Sequence, residues 1–137
     1  MKTVIGGLFF LVSMVLGTAR AEVINIDNAE LAKLVASGVP LIDIRTGGEW
    51  KTTGIIQGSQ TLTFFDERGQ ANPRQWLEKA RLIAKPEQPV ILICRSGNRT
   101  REASRFLSEQ GVFRTVYNVS RGIAGWVGEG RPVVLVP

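Results

Sequence analysis

The side chains best suited to chemistry are concentrated in one short stretch, residues 94–99. Cys94 is the single cysteine of the 137-residue chain, and Arg95, Gly97 and Arg99 follow it closely. A thiolate beside cationic side chains is a strong nucleophile that can form covalent intermediates. The stretch therefore predicts a cysteine nucleophile in a site for an anionic substrate.

The segments on either side of Cys94 would place it at the end of a strand. Residues 89–93 form an apolar run introduced by a proline, which is typical of a central parallel strand, and a helical pattern begins near Thr100. Amides of a loop that opens a helix converge on one point, where the helix dipole adds positive potential. A lone cysteine is often a buried small side chain. The glycine, the two arginines and the immediate helix start favour the reactive thiolate instead.

Apolar runs alternate with helical patterns along the rest of the chain. Strands are predicted at residues 22–26, 41–45, 89–94 and 115–119, and helices are predicted to begin at Asp27, Thr46, Asn72, near Thr100 and at Gly122. This order predicts an α/β fold with a central, mostly parallel sheet and helices on both faces. Asp43, Arg45 and Glu49 are expected to form a structural polar cluster below the site, with an Arg45–Glu49 ion pair.

The first 21 residues have the features of a cleavable signal peptide. Lys2 gives a basic start, residues 4–16 are rich in apolar side chains, and Ala19 and Ala21 fit the small residues that precede a cleavage site. The apolar segment is short for a bilayer-spanning helix. We therefore expect a periplasmic or secreted protein with no stable membrane anchor after cleavage, and one folded domain over residues 22–137.

The composition argues against several classes of ligand. The chain has no histidine and one cysteine, so we expect neither a metal site nor a cofactor. The net charge is +5, of which Lys2 and Arg20 would leave with the signal peptide. Several arginines cluster between Arg95 and Arg105 with no aromatic residues among them. That distribution favours a local anion site over a nucleic-acid surface.

Four short motifs resemble those of the rhodanese homology domain. They lie at residues 41–50, 54–59, 94–99 and 118–126. The second is similar to a turn usually written Gly-His-Ile-Pro-Gly-Ala, and the third to the active-site loop of single-domain rhodaneses. Ile55 and Gln57 replace the usual histidine and proline, and Arg121 stands where a glycine is common. The resemblance covers nearly all of residues 22–137 and implies a rhodanese-like α/β domain.

Members of this family pass a sulfane sulfur from a donor to an acceptor through a cysteine persulfide. The resemblance implies that Cys94 accepts sulfur from a small anionic donor such as thiosulfate and passes it to a thiol or to cyanide, as in a thiosulfate sulfurtransferase. The loop residues implied to hold the substrate are Arg95, Ser96, Gly97, Asn98, Arg99 and Thr100. Arginines would attract the donor, and the other loop residues would contribute backbone N–H groups and turn hydrogen bonds. The sequence carries no signal for a particular oligomeric state.

Two other functions are compatible with the same pattern. A cysteine phosphatase or arsenate reductase also holds a thiolate in a cradle of amides, but such phosphatases usually have five residues between cysteine and arginine. Here four residues separate Cys94 from Arg99, and no loop aspartate stands out as a general acid. A non-catalytic binding module of the same fold is the second alternative, although inactive members of the family typically lack the cysteine.

Overall fold

The structure, a computed structural model, describes residues 1–3, 6–7, 11 and 20–137. Most of the apolar segment expected in a signal peptide, residues 4–16, therefore lies outside the described residues, as does Ala19. Among the residues described, no helix is long and apolar enough to cross a membrane.

Strands and helices alternate from Glu22 onwards. The strands are β1 (Glu22–Ile26), β2 (Leu41–Asp43), β3 (Gln60–Thr61), β4 (Val90–Ile93) and β5 (Thr115–Val119), and the helices are α1 (Asn28–Ala36), α2 (Gly47–Thr53), α3 (Pro73–Ala80), α4 (Asn98–Gln110) and α5 (Gly122–Gly128). The described strands form one sheet in the order β1-β5-β4-β2-β3, and every pair is parallel. The predicted α/β fold is confirmed, with a sheet that is all-parallel.

Strand β4 lies at the centre of the sheet, between β5 and β2, and its side chains enter both layers of the core. Val90, Leu92 and Cys94 belong to one buried cluster, which includes residues of α3 and α4. Ile91 and Ile93 belong to the other, which includes residues of α1 and α5. Because successive side chains of a strand point to opposite faces, an apolar run can bury both sides of the sheet. Helices therefore cover both faces, as predicted.

The helix starts follow local capping chemistry. The Asp27 carboxylate accepts a hydrogen bond from the Glu30 N–H at 2.8 Å, and the Asn72 side chain accepts one from the Gln75 N–H at 3.2 Å. Both residues were predicted as helix starts, and both satisfy amides that have no partner within the helix. Helix α4 begins at Asn98, two residues before its predicted start.

The C-terminal segment packs against the turn that follows α2. Ile55 and Val134 form an antiparallel bridge, with their N–H groups and carbonyls 2.8–2.9 Å apart. Gly54, before this bridge, has a φ of 76°, and a Cβ atom there would lie 2.7 Å from the Val134 carbonyl oxygen. A glycine is required at this position because both the backbone angle and the close approach exclude a side chain.

The predicted Arg45–Glu49 ion pair is wrong. The Arg45 guanidinium bonds the Asp43 carboxylate at 2.7 Å, and the two side chains are 1% and 0% exposed. Arg45 also donates to Thr53 Oγ1 at 2.6 Å and to the Gly54 carbonyl at 2.9 Å. Because Arg45 precedes the N-cap of α2, it does not share a helical face with Glu49. Its side chain turns inward and ties β2 to the end of α2.

Replacing Arg45 with alanine should strongly destabilise the fold. The change leaves the Asp43 carboxylate buried without its cation, which costs about 3–5 kcal/mol. Urea unfolding at pH 7 measures this as a lower midpoint. Glu129→Gln is the control, because it breaks an exposed ion pair with Arg131 and should leave the midpoint nearly unchanged. A loss below about 1 kcal/mol in Arg45→Ala would contradict the structural role of the buried pair.

Candidate active site

The sulfur of Cys94 lies at the carboxyl end of β4, where the chain turns into α4. The residue is 1% exposed. Its Sγ accepts a hydrogen bond from the Gly97 N–H at 3.2 Å and lies 3.4 Å from Thr100 Oγ1. Open α/β sheets place their sites at this edge. Two groups of the following loop therefore converge on the single thiol of the chain.

The amino end of α4 supplies further donors beside this sulfur. Gly97 is the N-cap residue, and no side chain of the described residues caps the helix there. The first helical bond of α4 runs from the Arg101 N–H to the Gly97 carbonyl at 3.2 Å. The amides of Asn98, Arg99 and Thr100 precede it and have no acceptor within the helix. This first turn can therefore donate hydrogen bonds to an anion, and the helix dipole favours one.

Two glycines allow the Cys94 loop to pack against the turn between β5 and α5. Gly97 has a φ of 92°, and a Cβ atom there would collide with the Ser120 carbonyl. Gly122 has a φ of 57°, and a Cβ atom there would collide with the backbone of Cys94 and Arg95. Both positions require glycine because of the positive φ and the lack of space. The two backbone segments are thus in direct contact.

Hydrogen bonds fix the orientation of the loop at the same contact. The Ile123 N–H donates to the Cys94 carbonyl at 2.8 Å, and the Ala124 N–H donates to the Arg95 carbonyl at 3.0 Å. The first turn of α5 therefore satisfies two loop carbonyls.

The side chain of Arg99 is held by Glu49 of α2. Its two terminal nitrogens bond the two carboxylate oxygens of Glu49 at 2.6 and 2.8 Å, in a bidentate, partly exposed ion pair. The hydrogen bonds from Arg99 lower the pKa of Glu49, and those to Glu49 raise the pKa of Arg99. Glu49 Oε1 also accepts from the Thr46 hydroxyl at 3.3 Å. The pair links α2 to the start of α4.

The structure separates the seven predicted site residues into three groups. Gly97 and Thr100 contact the Cys94 sulfur, Arg99 pairs with Glu49, and the three remaining residues are exposed on the loop and the first turn of α4: Arg95, Ser96 and Asn98. Within the described ranges, no cluster of three or more histidine, cysteine, aspartate or glutamate side chains could hold a metal ion.

Two residues that shape the site were not predicted as part of it. Glu49 was expected to pair with Arg45, yet it bonds Arg99, fifty positions further along the chain. Gly122 packs against the loop backbone. It lies within the fourth motif, 118–126, so its place in that motif was the available signal.

The fold and this loop identify the class of protein. The chain belongs to the rhodanese-like domain family, whose sequence model matches residues 27–129.

Two relatives and one solved structure illustrate the match. Rhodanese-like domain-containing protein 17 of Arabidopsis thaliana is 31% identical over 119 residues, which cover 84% of this chain and 75% of that protein. Thiosulfate sulfurtransferase 18 of the same plant is 25% identical over 120 residues, 85% of this chain and 87% of that protein. The crystal structure of Rv0390 from M. tuberculosis has a TM-score of 0.70 at 24% identity and covers 85% of this chain and 100% of that one.

Replacing Glu49 with glutamine should reduce stability most near neutral pH. Since the folded-state pKa of Glu49 is lowered, its pair with Arg99 contributes fully above the unfolded value of about 4.3 and is lost as the pH falls through the folded value. Partial exposure limits the effect to about 0.5–1 kcal/mol. Urea midpoints of wild type and Glu49→Gln should differ at pH 7 and converge as the pH falls through the lowered folded-state pKa of Glu49. A difference that grows on acidification would contradict this linkage.

Proposed function

We propose that this protein is a sulfurtransferase that carries a sulfane sulfur as a persulfide on Cys94. The proposal rests on the surroundings of the Cys94 sulfur. The Gly97 N–H lies 3.2 Å from Sγ and Thr100 Oγ1 lies 3.4 Å from it, and no side chain that the structure describes caps the first turn of α4. These donors suit an anionic sulfur in the free enzyme and in the persulfide. The relative named thiosulfate sulfurtransferase supports the same chemistry.

In the first half-reaction the Cys94 thiolate attacks the outer sulfur of a donor such as thiosulfate. A bond forms between Sγ and that sulfur, the sulfur–sulfur bond of thiosulfate breaks, and sulfite leaves with the electron pair. The negative charge moves from Sγ to the terminal sulfur of the persulfide. Amides of the first turn of α4 would stabilise it there.

In the second half-reaction an acceptor thiolate or cyanide attacks the terminal sulfur. The bond from Sγ to that sulfur breaks, and its electron pair returns to Cys94 as a thiolate. Neither half-reaction requires a general base if Cys94 enters as the thiolate and the acceptor as an anion. This mechanism suits a chain without histidine.

The environment of Arg99 argues against a cysteine phosphatase or arsenate reductase. An arginine that binds a phosphoryl group uses its two parallel N–H groups to hold the oxygens. Here each terminal nitrogen of Arg99 already donates to a Glu49 oxygen, so the guanidinium is paired with a carboxylate. Four residues, rather than five, also separate the arginine from Cys94. A loop of this length between Cys94 and Arg99 suits a single sulfur atom better than a tetrahedral oxyanion.

Treatment with thiosulfate should add one sulfur atom, about 32 Da, to the wild-type chain and none to Cys94→Ser, because only a cysteine can form the persulfide. Intact mass spectrometry measures the adduct.

Thr100→Val keeps the shape of the side chain but removes its hydroxyl, so it should slow the loading of Cys94 with sulfur about tenfold or more.

The same preparations should be tested with p-nitrophenyl phosphate. Phosphate release that depends on Cys94, together with an unchanged mass after thiosulfate, would contradict the sulfurtransferase and favour the phosphatase. Absence of both activities would favour the binding module. Thr100→Val that loads as fast as wild type would remove the proposed role of the hydroxyl.

We also propose that residues 1–21 direct the protein out of the cytoplasm, to the periplasm or the medium. The segment combines Lys2, an apolar run and a small-residue cleavage signal. Ala21 is buried, its N–H donates to the Ser108 carbonyl at 3.1 Å, and its carbonyl accepts from Ser108 Oγ at 2.6 Å. The point of cleavage therefore decides whether these bonds are kept.

Fractionation of a bacterial host that expresses the full chain should recover a shortened protein outside the cytoplasm. The intact mass gives the first residue: Glu22 for cleavage after Ala21, or an earlier residue if Ala21 stays in the domain. A deletion of residues 2–19 is the control and should stay in the cytoplasm. A full-length chain in the cytoplasmic fraction would contradict export.

A further inference from the structure

A cavity of about 770 Å³ lies beside the Cys94 loop, between α2, α5 and the C-terminal segment. Arg95, the residue after Cys94, forms part of its wall. The volume is within the range of sites that bind small organic molecules. Thiosulfate and cyanide are far smaller than this space, so neither of them accounts for it.

One wall of the cavity is apolar. Its aliphatic side chains are Ile123, Ala124 and Val127 of α5 and Val133 of the C-terminal segment. Val127 is 48% exposed although it is a large aliphatic residue. A hydrocarbon chain against this wall would remove apolar surface from water, which is favourable in proportion to the area buried. The wall therefore favours a ligand with an aliphatic body.

The charges around the cavity favour an anionic group on that ligand. Arg45 and Glu49 line the cavity, but Arg45 is bonded to Asp43, and Glu49 is bonded to Arg99. Arg95 is exposed, and within the described part of the chain its guanidinium has neither an ion pair nor a hydrogen bond. A carboxylate is the complementary group for this arginine.

The apolar wall is attached directly to the Cys94 loop. The Ile123 and Ala124 N–H groups bond the carbonyls of Cys94 and Arg95 at 2.8 and 3.0 Å. Their side chains therefore hold a fixed position relative to the nucleophile. A molecule bound in the cavity would lie beside the Cys94 loop.

We propose that this cavity binds the sulfur acceptor, a low-molecular-weight thiol that carries an aliphatic chain and a carboxylate. The proposal rests on the sulfurtransferase function above. The acceptor thiolate attacks the terminal sulfur of the Cys94 persulfide and forms a new sulfur–sulfur bond. The bond to Sγ breaks, Cys94 leaves as the thiolate, and the product is the organic persulfide, which carries the negative charge on its terminal sulfur. No external oxidant or reductant is consumed.

The test uses single-turnover transfer from Cys94 that has first been loaded with thiosulfate. The acceptors are 3-mercaptopropionate, 8-mercaptooctanoate and the uncharged 8-mercaptooctanol, and each rate constant is divided by that of the same thiol with a free organic persulfide. Wild type should transfer to 8-mercaptooctanoate at least about tenfold faster than to 3-mercaptopropionate, because the longer chain buries more apolar surface.

Variants separate the two parts of the proposed site. Val127→Asp should reduce the chain-length preference to less than about threefold, because a carboxylate disrupts the apolar wall. Val23→Asp is the matched control: Val23 is 41% exposed on the outer strand β1, so its replacement should keep the preference. Arg95→Gln removes the cation, so it should lower the ratio of the rate constant for 8-mercaptooctanoate to that for 8-mercaptooctanol at least about threefold.

Octanoate, which has no thiol, tests the cavity without the transfer reaction. Calorimetry or NMR titration should show octanoate binding to wild type and Val23→Asp, and at least about tenfold weaker binding to Val127→Asp. Absence of a mass increase after thiosulfate would overturn the sulfurtransferase, whereas successful loading with no chain-length preference would overturn the cavity proposal alone. The cavity proposal would also be overturned if Val23→Asp and Val127→Asp changed the chain-length preference equally. Transfer of sulfur from loaded Cys94 to protein thiols, with no transfer to these small thiols, would overturn it as well.

Discussion

The close contact between the Cys94 loop and the β5–α5 turn is the constraint on which the site depends. Gly97 and Gly122 make it possible, since a side chain at either position would collide with the opposite backbone. The contact directs the carbonyls of Cys94 and Arg95 towards amides of α5. The Gly97 amide can then face the sulfur. A backbone packing requirement thus determines which dipoles surround the Cys94 sulfur.

Three arginines near the site differ in function because they differ in partners. Arg45 is buried against Asp43 and holds β2 to α2. Arg99 is held by Glu49 and joins α2 to α4. Arg95 is exposed beside the large cavity, so it is the one most available to a ligand. From residue type and distance in sequence to Cys94, Arg95 and Arg99 are similar candidates for binding an anion. The Glu49 carboxylate distinguishes them, because it pairs with Arg99 rather than Arg95.

The sequence predicts the fold well because its signals are local. Apolar runs, and the caps at Asp27 and Asn72, depend on residues within a few positions of one another. The Glu49–Arg99 pair could not be read in this way, since it joins residues fifty positions apart. The start of α4 lies two residues before its predicted position for a related reason. Its N-cap, Gly97, has no side chain that could signal a cap, and the positive φ of Gly97 accompanies a backbone contact with the distant Ser120.

The burial of Cys94 has a consequence for the proposed transfer. Because Cys94 is only 1% exposed, access to its sulfur is narrow, and thiosulfate can present its outer sulfur first. A persulfide extends the reactive position by one sulfur–sulfur bond, about 2.05 Å. The acceptor would therefore meet the terminal sulfur and not Sγ, which allows a bulkier molecule in the second half-reaction than in the first. An acceptor cavity beside the loop, separate from the amides that hold the sulfur, is consistent with this difference in size between the two substrates.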